Sequence, residues 1–168
     1  MMTDEESRRA QERVISVYNR RGSAGLSMAS GSACVTEGMR CEFTQGEHKA
    51  ISDMPEIVGG GGTAPTPGFY ARASIAGCVA IGIKMTAIRA GLTLRKVTVD
   101  LEMDFDDGAS LGVGDRSAAP LETRLAIGID TDAPQAAVED LVSQALAIDP
   151  YYLALRDPQS VKTSVTKA

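Results

Sequence analysis

The sequence predicts an α+β fold in which antiparallel strands surround one long, nearly uncharged helix. Three stretches carry that prediction. Residues 65–91, PTPGFYARASIAGCVAIGIKMTAIRAG, offer Thr66 as a helix cap, Pro67 for the first turn and Gly91 as a stop, with Arg89 near the negative end. Residues 94–105 alternate cleanly. Arg95, Val97, Val99, Leu101, Met103 and Phe105 fall on one face, and Lys96, Thr98, Asp100, Glu102 and Asp104 on the other. Residues 35–43 and 48–52 flank a Gln45-Gly46 turn and read as a hairpin, with Val35, Met39, Cys41 and Phe43 facing one way.

The remaining elements follow in order. Thr3 and Glu6 form a capping-box pattern, and Ala10, Val14, Val17 and Tyr18 recur at helical spacing. Residues 4–20 are therefore expected to be an amphipathic helix packed by one face. Residues 21–33, rich in Gly, Ser and Ala, form a loop or a weak strand. Asp53-Met54-Pro55 ends the hairpin, and four glycines, Gly59 to Gly62, mark a close backbone approach or a mobile loop. They lack both the Walker lysine and the spaced dinucleotide fingerprint of a phosphate cradle. Beyond the central helix, residues 106–120 make a polar excursion and 121–129 a further strand, with Leu121, Leu125, Ile127 and Ile129 inward. Asp132 with Gln135 gives a second cap signal, and Val138, Leu141, Val142 and Ala145 the buried stripe of a helix that Asp149-Pro150 breaks. A short helical turn at 151–155 and an edge strand at 161–165 close the chain.

Composition narrows the function classes. A chain of 168 residues suggests one domain. Its net charge of -5, with Arg8, Arg9, Arg13, Arg20 and Arg21 interleaved with acidic residues, disfavours nucleic-acid and anionic-membrane partners. The uncharged stretch from Ala73 to Ile83 is too short to span a bilayer, and no leader pattern opens the sequence, so a cytoplasmic location is expected. Cys34, Cys41 and Cys78 show no disulfide spacing, and the single histidine, His48, argues against a histidine-ligated zinc or a histidine triad. The acidic strand face at Asp100, Glu102 and Asp104 lacks calcium-loop spacing and reads as solvated. No cofactor or metal is expected.

The central helix is unusual in two ways. Gly77 and Gly82 lie near its middle, where each glycine costs about 1 kcal/mol relative to alanine. Such a cost implies close packing against the backbone or a local irregularity. So few polar positions also call for burial on most of the circumference, which predicts a homodimer with this helix at or near the interface. Cys78 is its one candidate for covalent chemistry, although a small buried thiol in such a helix is equally a core residue.

Taken together, Asp53-Met54-Pro55, the glycine run, Pro65-Thr66-Pro67 and Ala76-Gly77-Cys78-Val79, followed by helix, Gly91 and strand, resemble the OsmC/Ohr family of osmotically induced and organic-hydroperoxide-resistance proteins. The likeness spans roughly residues 35–165 of a single OsmC-like domain and leaves the N-terminal helix, residues 1–20, outside. It implies an intertwined α+β homodimer, with antiparallel sheets wrapped around the long helix and active sites at the subunit interface. The family reduces organic hydroperoxides and hydrogen peroxide with a peroxidatic cysteine supported by an arginine from an early strand. A glutamate orients that arginine, and a second cysteine before a proline resolves the sulfenic acid. By this resemblance Cys78 is the peroxidatic residue and Arg40 the supporting arginine. The resolving position falls at Asp149, and the glutamate position falls within Gly68-Phe69-Tyr70. Neither carries the family residue.

That departure leaves three functions open. One is a peroxidase using Cys78 and Arg40 with an external thiol reductant. Another is a non-catalytic dimer that binds a small apolar ligand at the former active site. The third is an interaction protein built on the N-terminal helix. Arg72 and Lys84 are each about 240° around the helix from Cys78, so a supporting cation must come from another element. Asp149, brought near Cys78, would raise its pKa by like charge and cannot form a disulfide. Cys34 is a better internal resolver than Cys41, which faces away from Arg40.

Overall fold

The computed structural model describes residues 2–167 and divides into two compact units, one up to Ser74 and the other from Ile75. The first opens with α1 (Asp4–Arg20), and the predicted capping box is present. The Glu6 amide donates to Thr3 Oγ1 at 3.2 Å, and the Thr3 amide donates to Glu6 Oε2 at 2.7 Å. The expected packed face is not. No residue of α1 is buried, and Val14, Ile15, Val17 and Tyr18 are between 40% and 47% exposed. Its caps and the ion pairs of Glu5 with Arg8 and Arg9, one turn apart, support the helix locally.

Strands β1 (Ser32–Val35), β2 (Cys41–Gln45) and β3 (His48–Ser52) form an antiparallel sheet in that order. The single strand expected over 35–43 is therefore two. The chain turns between them at Glu37-Gly38-Met39, with Gly38 at φ 61°, and the weak segment before residue 35 supplies the extra strand. Arg40 accordingly lies at the exit of the turn, just before β2, rather than within a strand. The hairpin is as predicted, with Gln45 opposite His48. Val35, Met39, Cys41 and Phe43 also share a face, lining an apolar pocket of about 640 Å³ with Tyr70 and Ser74.

The glycine run after β3 is organised by one carboxylate. Asp53 is 2% exposed and accepts the amides of Met54 (2.8 Å), Gly61 (3.3 Å) and Thr63 (3.1 Å) and the Thr63 hydroxyl (2.7 Å). Wrapping the chain this tightly brings Gly60 against its own loop, where a Cβ would stand 1.9 Å from the Met54 carbonyl oxygen. The close backbone approach read from the glycines is thus real, and its purpose is to enclose Asp53.

Helix α2 (Pro67–Ala90) begins in the first unit and continues into the second. The Phe69 amide donates to Thr66 Oγ1 at 3.3 Å, so Thr66 caps it. At the other end Leu92 N–H reaches the Ala87 carbonyl (2.9 Å) and Gly91, at φ 70°, reaches that of Ile88 (3.3 Å), a Schellman closure. By length and composition α2 could cross a membrane. In the structure Val79, Ile83 and Ala87, one turn apart, pack into a core with Leu94, Leu141 and Ala145.

Strands β4 (Lys96–Asp104) and β5 (Glu122–Asp130) pair antiparallel and turn Val97, Val99, Leu125, Ile127 and Ile129 towards that core. On the outer face Arg124 bridges Glu102 (3.0 Å) and Asp104 (2.6 Å), and the acidic residues there are solvated. Arg95 does not join the inward face. It pairs with Asp130 and Asp132, which is why Asp132 is not a helix cap. The short helix α3 (Asp107–Ser110) interrupts the polar excursion. Helix α4 (Gln135–Leu146) follows Pro134 without a side-chain cap, and its buried stripe is the predicted one. Helix α5 (Pro150–Arg156) ends the ordered elements. Residues 161–165 form no strand, and Val161 and Val165 are 80% and 96% exposed, with no open strand edge engaging them.

Thr63 above all, through its hydroxyl and amide, and then the Met54 and Gly61 amides hold the Asp53 carboxyl at about 2. A depressed folded-state value stabilises the loop above the ordinary carboxylate range near ~3.9, and this is lost as pH falls towards 2. Hydrogen exchange at the Gly61 and Thr63 amides should accelerate across that window, relative to intrinsic rates, and Asp53→Asn should abolish the transition. Ile83, fully buried, fills the centre of the second core. Ile83→Ala should cost about 2–5 kcal/mol in denaturant unfolding.

Candidate active site

Cys78, Ile81, Gly82, Met85 and Arg89 recur at i, i+3, i+4, i+7 and i+11 and so share one side of α2. The buried stripe of Val79, Ile83 and Ala87 lies roughly 100–180° further round. Packing of that stripe therefore fixes the roll of the helix and sets the direction in which Cys78 points. The Cys78 side lines a pocket of about 210 Å³, completed by Ala145 of α4, Ile148 and Asp149 of the connection, and Pro150 of α5.

Asp149 is the polar anchor of this pocket. It breaks α4 as expected but also caps α5, with its Oδ1 accepting the amides of Tyr151 (3.1 Å) and Tyr152 (2.8 Å). Only 4% of the residue is exposed. Its Oδ2 lies over the backbone of α2 at Gly82, where a Cβ would stand 3.2 Å from it. That explains one of the two mid-helix glycines. Gly77 has no heavy atom within 4 Å of where its Cβ would be, so close packing does not account for it.

The thiol responds to this neighbour. Burial pushes the Cys78 pKa above the ordinary cysteine value, and Asp149 raises it further by hydrogen bonding and by charge. The Tyr151 amide opposes both. The sequence expectation that Asp149 would disfavour the thiolate if the fold brought it near is met.

The other predicted groups belong to the first unit. Arg40 belongs to the first unit, whereas Cys78 and Asp149 belong to the second. Cys34, exposed on β1, and half-buried Cys41 on β2 are also in the first unit. At the position of the family glutamate, Phe69 is half exposed and the Tyr70 hydroxyl donates to the Ile51 carbonyl at 2.8 Å. Sequence reasoning missed Arg89, which lines the Cys78 pocket and donates to Thr86 Oγ1 at 2.8 Å. The signal was available. Eleven residues is close to three helical turns, about 16 Å along the axis, so Arg89 stands at the far end of the same face.

Residues 59–164 match the model of the OsmC-like protein family. The chain belongs to that family. Among solved structures, this OsmC-like protein is similar to the OsmC-like protein of Mycoplasma pneumoniae, with a TM-score of 0.66 at 12% identity, covering 77% of this chain and 88% of that one. It is also similar to a Legionella pneumophila protein described as an organic hydroperoxide resistance protein OsmC and a predicted redox protein. That likeness has a TM-score of 0.57 at 26% identity and covers 79% of this chain and 91% of that one. The organic hydroperoxide resistance protein of Bacillus subtilis gives 0.52 at 18% identity, covering 79% and 93%. No curated protein sequence matches the chain.

Proposed function

We propose that this OsmC-like protein reduces organic hydroperoxides or hydrogen peroxide through Cys78, as a cytoplasmic homodimer served by an external thiol. The observation that carries the reading is the placement of Cys78, only half-buried, on the wall of a pocket that a small molecule can enter. The hydroperoxide-resistance relatives add their weight to it.

In the reaction the Cys78 thiolate attacks the distal peroxide oxygen. An S–O bond forms as the O–O bond breaks; sulfur is oxidised to a sulfenic acid and the peroxide leaves as an alcohol or water after taking up a proton. Asp149 cannot close a disulfide, so two external thiols restore Cys78 with release of water and their own disulfide. Arg40 is the proposed cation, stabilising charge on the leaving oxygen rather than setting the resting thiol.

The pocket also favours a second reading. Its rim of Ile81, Met85, Ile148 and Pro150 is apolar, and the thiol beside it is held neutral, which suits non-catalytic binding of a small apolar ligand.

Peroxide consumption with a dithiol reductant separates the two. The thiolate fraction grows with pH until pH passes the raised Cys78 value, so the rate should climb through pH 7 to 9. Cys78→Ser should abolish it, and Arg40→Ala should lower kcat/KM about a hundredfold. Wild-type protein that consumes no peroxide at any pH yet retains an apolar fluorophore in competition with small apolar ligands would establish the binding reading instead.

A further inference from the structure

Helix α1 lies outside the residues that match the family, and its supports are unevenly placed. The capping box and the pairs of Glu5 with Arg8 and Arg9 and of Arg8 with Glu12 all fall within residues 3–12. From Val14 to Asn19 the helix runs through six residues that rank low as helix formers, and Val14, Val17 and Tyr18 are exposed. A helix of this length takes most of its stability from burying an amphipathic face, yet no residue of α1 is buried within its own chain.

Ser7, Ala10, Val14 and Val17 recur at alternating steps of three and four, the seam of a two-helix coiled coil. Charge divides along the same helix. Asp4, Glu5, Glu6 and Glu12 outweigh Arg8 and Arg9 in the first half, whereas Arg13, Arg20 and Arg21 have no acidic residue among them in the second. We propose that this face docks against the same face of a second copy of the chain, antiparallel, so that the acidic first turn of each α1 lies against the basic last turn of the other. In that alignment Val14 packs on Ala10 and Val17 on Ser7, a larger side chain on a smaller one at every layer. Val17, Arg20 and Arg21 rim a hollow of about 380 Å³ that receives the partner's first turn. Arg13 meets its own counterpart near the two-fold axis, at an exposed flank where water screens the repulsion. A parallel pair would instead set acid on acid and base on base along the whole seam. An anionic bilayer is a poorer match, because the first turn carries three carboxylates and the seam has no Leu, Phe or Trp. The contact is separate from the α2 interface expected from the sequence, and it does not depend on the peroxide reading.

The test is disulfide formation in a glutathione buffer between two full-length chains, one carrying Ser7→Cys and the other Val17→Cys, both in a Cys34→Ser, Cys41→Ser, Cys78→Ser background. The antiparallel alignment sets these two positions side by side, while like positions stand about 15 Å apart along the axis. An equal mixture should therefore yield the 7–17 mixed dimer, and each chain alone should stay uncross-linked. Arg20→Glu with Arg21→Glu in the Val17→Cys chain turns negative charge towards the acidic first turn and should cut that yield about fivefold while helical circular dichroism is kept. Cross-links of 7 with 7 and 17 with 17 would show a parallel pair and overturn the proposal. So would the absence of any cross-link, whether or not the protein then sediments with phosphatidylglycerol vesicles. Mixed cross-linking that ignores the charge reversal overturns it too, as collision rather than docking.

Discussion

One carboxylate links the parts of the second unit that matter for chemistry. Asp149 closes α4, starts α5 through two amide hydrogen bonds, and lies over Gly82 in the pocket that Cys78 lines. None of this would hold if α2 could roll. Its buried stripe of Val79, Ile83 and Ala87, locked against Leu94, Leu141 and Ala145, keeps Cys78 and Gly82 turned towards the α4–α5 connection. The core thus acts on function by fixing an angle, and the carboxylate acts by occupying the space that angle leaves.

Two buried aspartates show how differently one side chain can be used. Asp53 is surrounded by four donors from its own loop and is stabilised as an anion; its role is to hold a glycine-rich segment in one shape. Asp149 accepts two amides, both at one oxygen, and its other oxygen lies against α2 at Gly82, in the pocket that Cys78 also lines. The first arrangement is saturated. The second leaves one oxygen turned to the pocket rather than to its own loop.

Elements with strong local signals were legible from the sequence. The caps of α1 and α2, the β2–β3 hairpin, the alternation of β4 and the stripe of α4 all depend on residues close in the chain. What was not legible depended on partners far away or lacking. The α1 stripe has helical period but no buried residue, and residues 161–165 have strand-like composition but pair with no strand. Alternation ran across the turn at Gly38 and merged β1 with β2, which moved Arg40 into a strand it does not occupy. The site was half readable: Cys78 and Asp149 came from the family motif, and Gly82 marked a close approach without naming what approached. Arg89 was less legible because it stands about three helical turns from Cys78, beyond the one- and two-turn spacings that usually define a helix face.

The ultraviolet absorbance of the thiolate, titrated in otherwise unaltered protein with Cys34 and Cys41 replaced by serine, tests the central claim most directly. The account predicts that the Cys78 thiolate band appears only above the ordinary cysteine range, beyond about 8.5. A band already developed at neutral pH would show the sulfur resting as an anion despite Asp149, and would contradict it.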